Sequence, residues 1–172
     1  MNQLQVFAVI VCFILSIGIS CQVTPTEKPG NTVPISSSDA LMNTAIQQAQ
    51  DTLPLFIKAL QNPKPGQTDF SIKVRFPYEG GNYEHMWVDH LTFSDNRFAG
   101  ILANIPEEVE NLRLGDPVSV DMKDISDWTI IDDNHLLGGF TIYAIRSGLT
   151  DSERKQFDAG FKYILSDLPA LP

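Results

Sequence analysis

Two histidines and two carboxylates, Glu84, His85, Asp89 and His90, fall within one short segment of the chain. An imidazole beside a carboxylate is the material of general acid–base catalysis and of metal ligation. A small hydrolase would use His85 as its base, with Glu84 or Asp89 to orient the ring, and these three are the candidate catalytic residues. The spacing works against a ready-made site. The segment reads as a strand, and on a strand His85 and His90 point to opposite faces. Glu84 and His90 share a face but stand about 20 Å apart at roughly 3.3 Å per residue. Only a bend in the strand, or His135 arriving from elsewhere, would gather these groups; the plainer reading is of polar side chains satisfied on a sheet surface.

A second acidic run, Asp121, Asp124, Asp127, Asp132 and Asp133, lacks the D-x-D-x-D-G spacing of a calcium loop, and Asp132-Asp133-Asn134 has ordinary turn chemistry. No metal site is assigned. Asp127-Trp128 is more specific. A carboxylate there can accept a backbone amide while the indole fills the core, and Trp87 invites the same packing role. An exposed tryptophan would instead serve as a binding anchor. There is no G-x-S-x-G elbow, and Gly80-Gly81 and Gly138-Gly139 match no phosphate loop, so no cofactor is expected and a nucleotide enzyme is disfavoured.

The elements that must position these residues follow a signal-like leader. Leu4 to Ile19 is almost wholly apolar, and Gly18 and Ser20 are small residues just ahead of Cys21. Residues 1–20 read as an export signal, and Cys21 as a lipidation site of the kind that anchors a domain to a membrane without spanning it. Cys12 falls inside the leader, which leaves the mature chain without a cysteine pair for a disulfide. Residues 21–38, rich in Pro, Ser, Thr and Gly, read as a flexible tether. The net charge is −9 and the basic residues are dispersed, which argues against nucleic acid as a partner.

From residue 39 to 172 the pattern predicts one α+β domain. Met42, Ala45, Ile46, Ala49, Leu53, Phe56, Ile57 and Leu60 keep a helical period from a cap at Ser38 or Asp39, with a kink or restart at Pro54 capped by Thr52. FSIKVRF alternates cleanly from Phe70 to Phe76. Further strands are predicted over 83–93, 97–104, 118–122, 127–131 and 140–145, with one helical turn over 106–112. A closing helix starts at the capping box Thr150-x-x-Glu153, presents Phe157, Phe161, Ile164, Leu165 and Leu168, and stops at Pro169. The expected architecture is a bent antiparallel sheet of five to six strands, flanked by an N-terminal and a C-terminal helix whose apolar stripes cover one face.

FSIKVRF, EHMWV, GILANIP, LGDPVSV, ISDW and GGFTI, in that order, make residues 45–154 resemble the bacterial family known as domain of unknown function 2314. The resemblance implies a small, often exported domain. It brings no activity, cofactor or catalytic residue to any position here. The expectation is an exported, lipid-anchored, non-catalytic binding domain of the bacterial envelope, in the periplasm or on a membrane, with a protein or envelope component as partner. A small hydrolase using Glu84, His85 and Asp89, or an immunity-type inhibitor of a toxin, are the alternatives.

Overall fold

The computed structural model describes residues 40–172; the leader, the tether, Cys21 and the N-cap expected at Ser38 or Asp39 lie outside them. Helix α1, Ala40–Gln61, buries Met42, Ala45, Ala49, Leu53, Phe56 and Ala59 along the predicted stripe. It runs through Pro54 without a restart. Thr52 caps nothing: its hydroxyl donates to the Gln48 carbonyl at 2.7 Å and lies 3.1 Å from the indole Nε1 of Trp128, which also reaches the Ala49 carbonyl. Packing against the sheet thus outweighs the cost of a proline inside the helix.

Six strands form one antiparallel sheet: β1 Gln67–Tyr78, β2 Asn82–Ser94, β3 Arg97–Leu102, β4 Pro117–Asp121, β5 Ile125–Asp132 and β6 His135–Gly138. Their order is β4-β3-β2-β1-β5-β6. The fold is α+β. Short turns make the pairing: Asp95-Asn96 and Asp133-Asn134 all take positive φ, which suits tight hairpins between twisted strands. Register shifts interrupt β1 against β5, beside Thr68–Ser71 and Lys73–Val74, and β2 against β3, beside Asp89–Thr92. The chain passes from β4 back to the far side of β1 through a 3₁₀ turn, Met122–Asp124.

Two short helices follow: α2, Phe140–Ser147, and α3, Asp151–Ala159. Both correct the sequence reading. FTIYAI, expected as a strand over 140–145, is helical, and the strand beside β5 is His135–Gly138. The capping box of α3 forms as read, but the helix ends at Gly160, and Ile164 and Leu168 are exposed. The residues beyond it return to the sheet. Ile164 and Ala170 bridge to His135 and Leu137, so the C-terminal segment covers the outer edge of β6. No helical turn forms over 106–112.

The helices also sit on different faces. Trp128, Ile130 and Leu137 join the core under α1, while Ile131 and Leu136, their strand neighbours, pack with Trp87, Phe157 and Phe161 on the other side. Alternation along β5 and β6 therefore separates two layers, rather than placing both terminal helices on one face.

The β6–α2 corner needs glycine. Gly138 holds φ +70°, and a Cβ there would lie 2.3 Å from the Trp128 carbonyl oxygen and 2.5 Å from its ring. Gly138→Ala is expected to cost about 2 kcal/mol or more, from the left-handed backbone together with the clash, read as a lowered urea midpoint. Gly81→Ala has a positive φ but open space, so its smaller loss separates the two effects.

Candidate functional site

The sheet face turned away from α1 carries the polar groups. Its rows are set by register: Lys73 lies between Asp127 on β5 and Trp87 on β2, and the next row pairs Arg75 with His85. Lys73 and Asp127 are both buried. Asp127 Oδ1 accepts the amides of Trp128 at 2.8 Å and Phe140 at 3.0 Å; Oδ2 accepts the Thr141 amide at 2.8 Å and its hydroxyl at 2.6 Å. The carboxylate is thus the cap of α2, delivered from a strand, where the helix N-terminus favours negative charge. Gly139, the residue at the N-cap position, makes no side-chain cap.

Lys73 completes a relay. The Thr141 hydroxyl gives its proton to Asp127, so it accepts from Lys73 Nζ at 3.3 Å. The ammonium stands 5.3 Å from the centre of the Trp87 ring, in cation–π range. Burial pushes Lys73 down from its ordinary range, and the nearby Asp127 opposes it. Burial likewise pushes Asp127 up, against the Thr141 hydroxyl, Lys73 and the amides of Thr141 and Trp128. Burial also raises the Tyr163 phenol, to about 12, with Asp127 and Tyr143 adding to it.

His85 Nδ1 lies 2.8 Å from Ser126 Oγ. That hydroxyl donates to the Lys73 carbonyl at 3.2 Å, so it accepts from an Nδ1–H tautomer and leaves His85 Nε2 as an acceptor. Burial first, then Lys73 and Arg75, bring His85 down to about 4. A histidine so depressed is neutral near pH 7 and a weak base. Ser126 is 1% exposed, which denies a substrate access to its hydroxyl.

The structure does not bring Glu84, His85 and Asp89 together. Glu84 lies on the α1 side with Met86 and Val88, and its carboxylate accepts the amides of Glu107 at 2.8 Å, Glu108 at 3.0 Å and Val109 at 3.1 Å. It organises the loop for which a helical turn was expected. Asp89 shares the face of His85 but sits four residues along, about 13 Å away, and accepts the Ser71 hydroxyl at 2.6 Å. Asp121 and Asp124 pair with Arg97 and Arg75, and Asp132 accepts from Gln67. Trp128 fills the core at 0% exposure, and Trp87 is half-buried against the cluster of Leu136, Ile142 and Tyr143. The sequence reading anticipated that Asp127 would take a backbone amide. It missed Lys73, Thr141 and Ser126, which no motif marks; the one local hint was a lysine in a strand bounded by apolar residues.

Fold and polar network together define a small α+β domain in which Glu84, Asp89 and Asp127 hydrogen-bond to its own framework. The chain belongs to the family described as an uncharacterized protein conserved in bacteria (DUF2314), whose model matches residues 39–163. It is similar to a putative ankyrin repeat protein of Neisseria meningitidis serogroup B, at 34% identity over 134 residues, 74% of this chain and 53% of that protein. It is also similar to the uncharacterized protein YegJ of Escherichia coli K12, at 33% identity over 101 residues, 59% of this chain and 64% of the relative. The chain therefore spans about half the length of the first relative and less than two thirds of the second. No solved structure matches it.

Two outcomes check the network. Asp127→Asn keeps the shape but removes the charge and two acceptor sites, and should cost about 3–5 kcal/mol in urea unfolding. His85, lowered from 6.5 to about 4, makes the folded state bind fewer protons than the unfolded one. Its contribution is full above pH 6.5 and is lost as the pH falls towards 4. His85→Gln should flatten that part of the stability–pH curve relative to wild type; identical slopes would show that the ring titrates normally.

Proposed function

We propose that this chain is an exported, non-catalytic binding domain of the bacterial envelope, anchored through a lipid on Cys21 once residues 1–20 are removed and held on the tether of residues 21–38. The observation that carries the non-catalytic part is the internal commitment of the candidate groups. Glu84 serves three loop amides, Asp89 serves Ser71, Asp127 caps α2, and His85 is neutral against a buried serine. The hydrolase alternative needs a carboxylate within hydrogen-bond reach of His85, and the partner there is a hydroxyl. Export and anchoring rest on the apolar run and on the small residues before Cys21.

The partner is a protein or another envelope component. Mass spectrometry of the mature N-terminus tests the anchor: acylated Cys21 is the expected species, and Cys21→Ser should move the protein from the membrane fraction to the soluble one. Recovery of the intact chain, Met1 included, from the cytosol defeats the proposal. Crosslinked pull-down from envelope extracts should recover a specific partner, and repeated failure removes the binding role.

A further inference from the structure

The β4–β5 connection leaves one sheet edge and returns beside β1, so its 3₁₀ turn, Met122–Asp124, arches past the strand ends next to α1. Gln50 Nε2 donates to the Ile125 carbonyl at 3.1 Å and ties α1 to this arch. Between them lies an open concavity of about 420 Å³ lined by Gln50, Leu53, Arg75, Met122 and Lys123. The depression is shallow and open to solvent, so it suits a small terminal group rather than an enclosed ligand. Leu53 is buried beneath it and Met122 is half-buried, so Met122 supplies the accessible apolar surface.

Its charged lining is cationic, in a chain of net charge −9. Arg75 uses Nε on Asp124 at 3.3 Å and Nη2 on the Lys123 carbonyl at 3.1 Å, and its guanidinium stands 5.3 Å from the centre of the Tyr83 ring, which leaves Nη1 as its donor without a hydrogen bond among the described residues. Lys123 Nζ is 4.0 Å from Asp121 Oδ2, outside hydrogen-bond range, and the other oxygen of Asp121 is held by Arg97. Two cationic donors are therefore available beside an apolar wall.

We propose that this concavity binds a carboxylate carrying a short apolar group, the chemistry of a peptide's C-terminal residue. The carboxylate takes charge-assisted hydrogen bonds from these cations, and the apolar group lies on Met122. The inference rests on the binding-domain reading and gives its partner a chemistry.

The test is an amide-shift NMR titration of the mature chain with N-acetyl-leucine, its uncharged amide N-acetyl-leucinamide, and an acetylated tetrapeptide ending in leucine. Saturable shifts at Lys123, Asp124, Ile125 and the Gln50 side chain are expected with the acids and not with the amide. Lys123 is 75% exposed at its side chain, so Lys123→Gln should fold normally; it should weaken Kd about tenfold. Arg75→Lys, which keeps the charge, should bind more tightly than Arg75→Gln. A tetrapeptide that outbinds N-acetyl-leucine identifies a peptide terminus as the source, and equal affinities identify a free small carboxylate. Either supports the site. Absence of saturable shifts at these residues, or equal binding of the amide, overturns it. If the acids fail while an envelope partner is still captured, the concavity is wrong and the binding-domain reading stands; if no partner is captured either, both fall.

Discussion

A carboxylate buried in the middle of the molecule sets the geometry of everything around it. Taking an anion out of water costs several kcal/mol, and only near-complete hydrogen bonding offsets that. Asp127 meets the requirement with three backbone amides and a hydroxyl, two of the amides from the first residues of α2. Its neighbour Trp128 faces the other way, into the Ala49 carbonyl and the Thr52 hydroxyl of α1. One dipeptide thus fixes α1 on one face of the sheet and the start of α2 at the end of β6. Lys73 supplies the opposing charge through Thr141, and Trp87 lies against the ammonium. The residues that first suggest chemistry are mostly this framework.

What could be read from the sequence was what local physics decides. The alternation from Phe70 to Phe76, the box at Thr150 and Glu153, the Asp133-Asn134 turn and the amide-accepting role of Asp127 all act over a few residues, and all are present. The misreadings share a different cause. Phe140 to Ile145 is rich in strand-forming residues, yet its first amides meet a carboxylate thirteen residues upstream, and that tertiary cap decides for helix. Phe161, Ile164, Leu165 and Leu168 continue a helical period past Gly160, but the backbone there finds better hydrogen bonds on β6. Glu84 looked like half of an acid–base pair; it faces the opposite side of the sheet from His85 and holds a loop instead. Ser126 sits forty-one residues from His85, where no spacing rule connects them.

The distribution of charge follows the same logic. Asp121, Asp124, Asp127 and Asp132 are paired or turned inward, so the overall negative balance does not describe every surface. At the β4–β5 arch, cations prevail locally because Asp124 and Asp121 are engaged from the side by Arg75 and Arg97. Net charge bounds the class of partner; the local arrangement decides which group a partner presents.

The covered edge of β6 has a bearing on association between chains. A ribosome delivers the chain from its N-terminus, and Ile164 and Ala170, which close that edge, emerge after the strand they cover. Until they do, the outer amides of Leu136 and Gly138 have no strand-like partner, and an unpaired edge is a template for association with other chains. That edge is therefore covered only after β6 itself has been made, which leaves an interval in which the strand can pair with another chain.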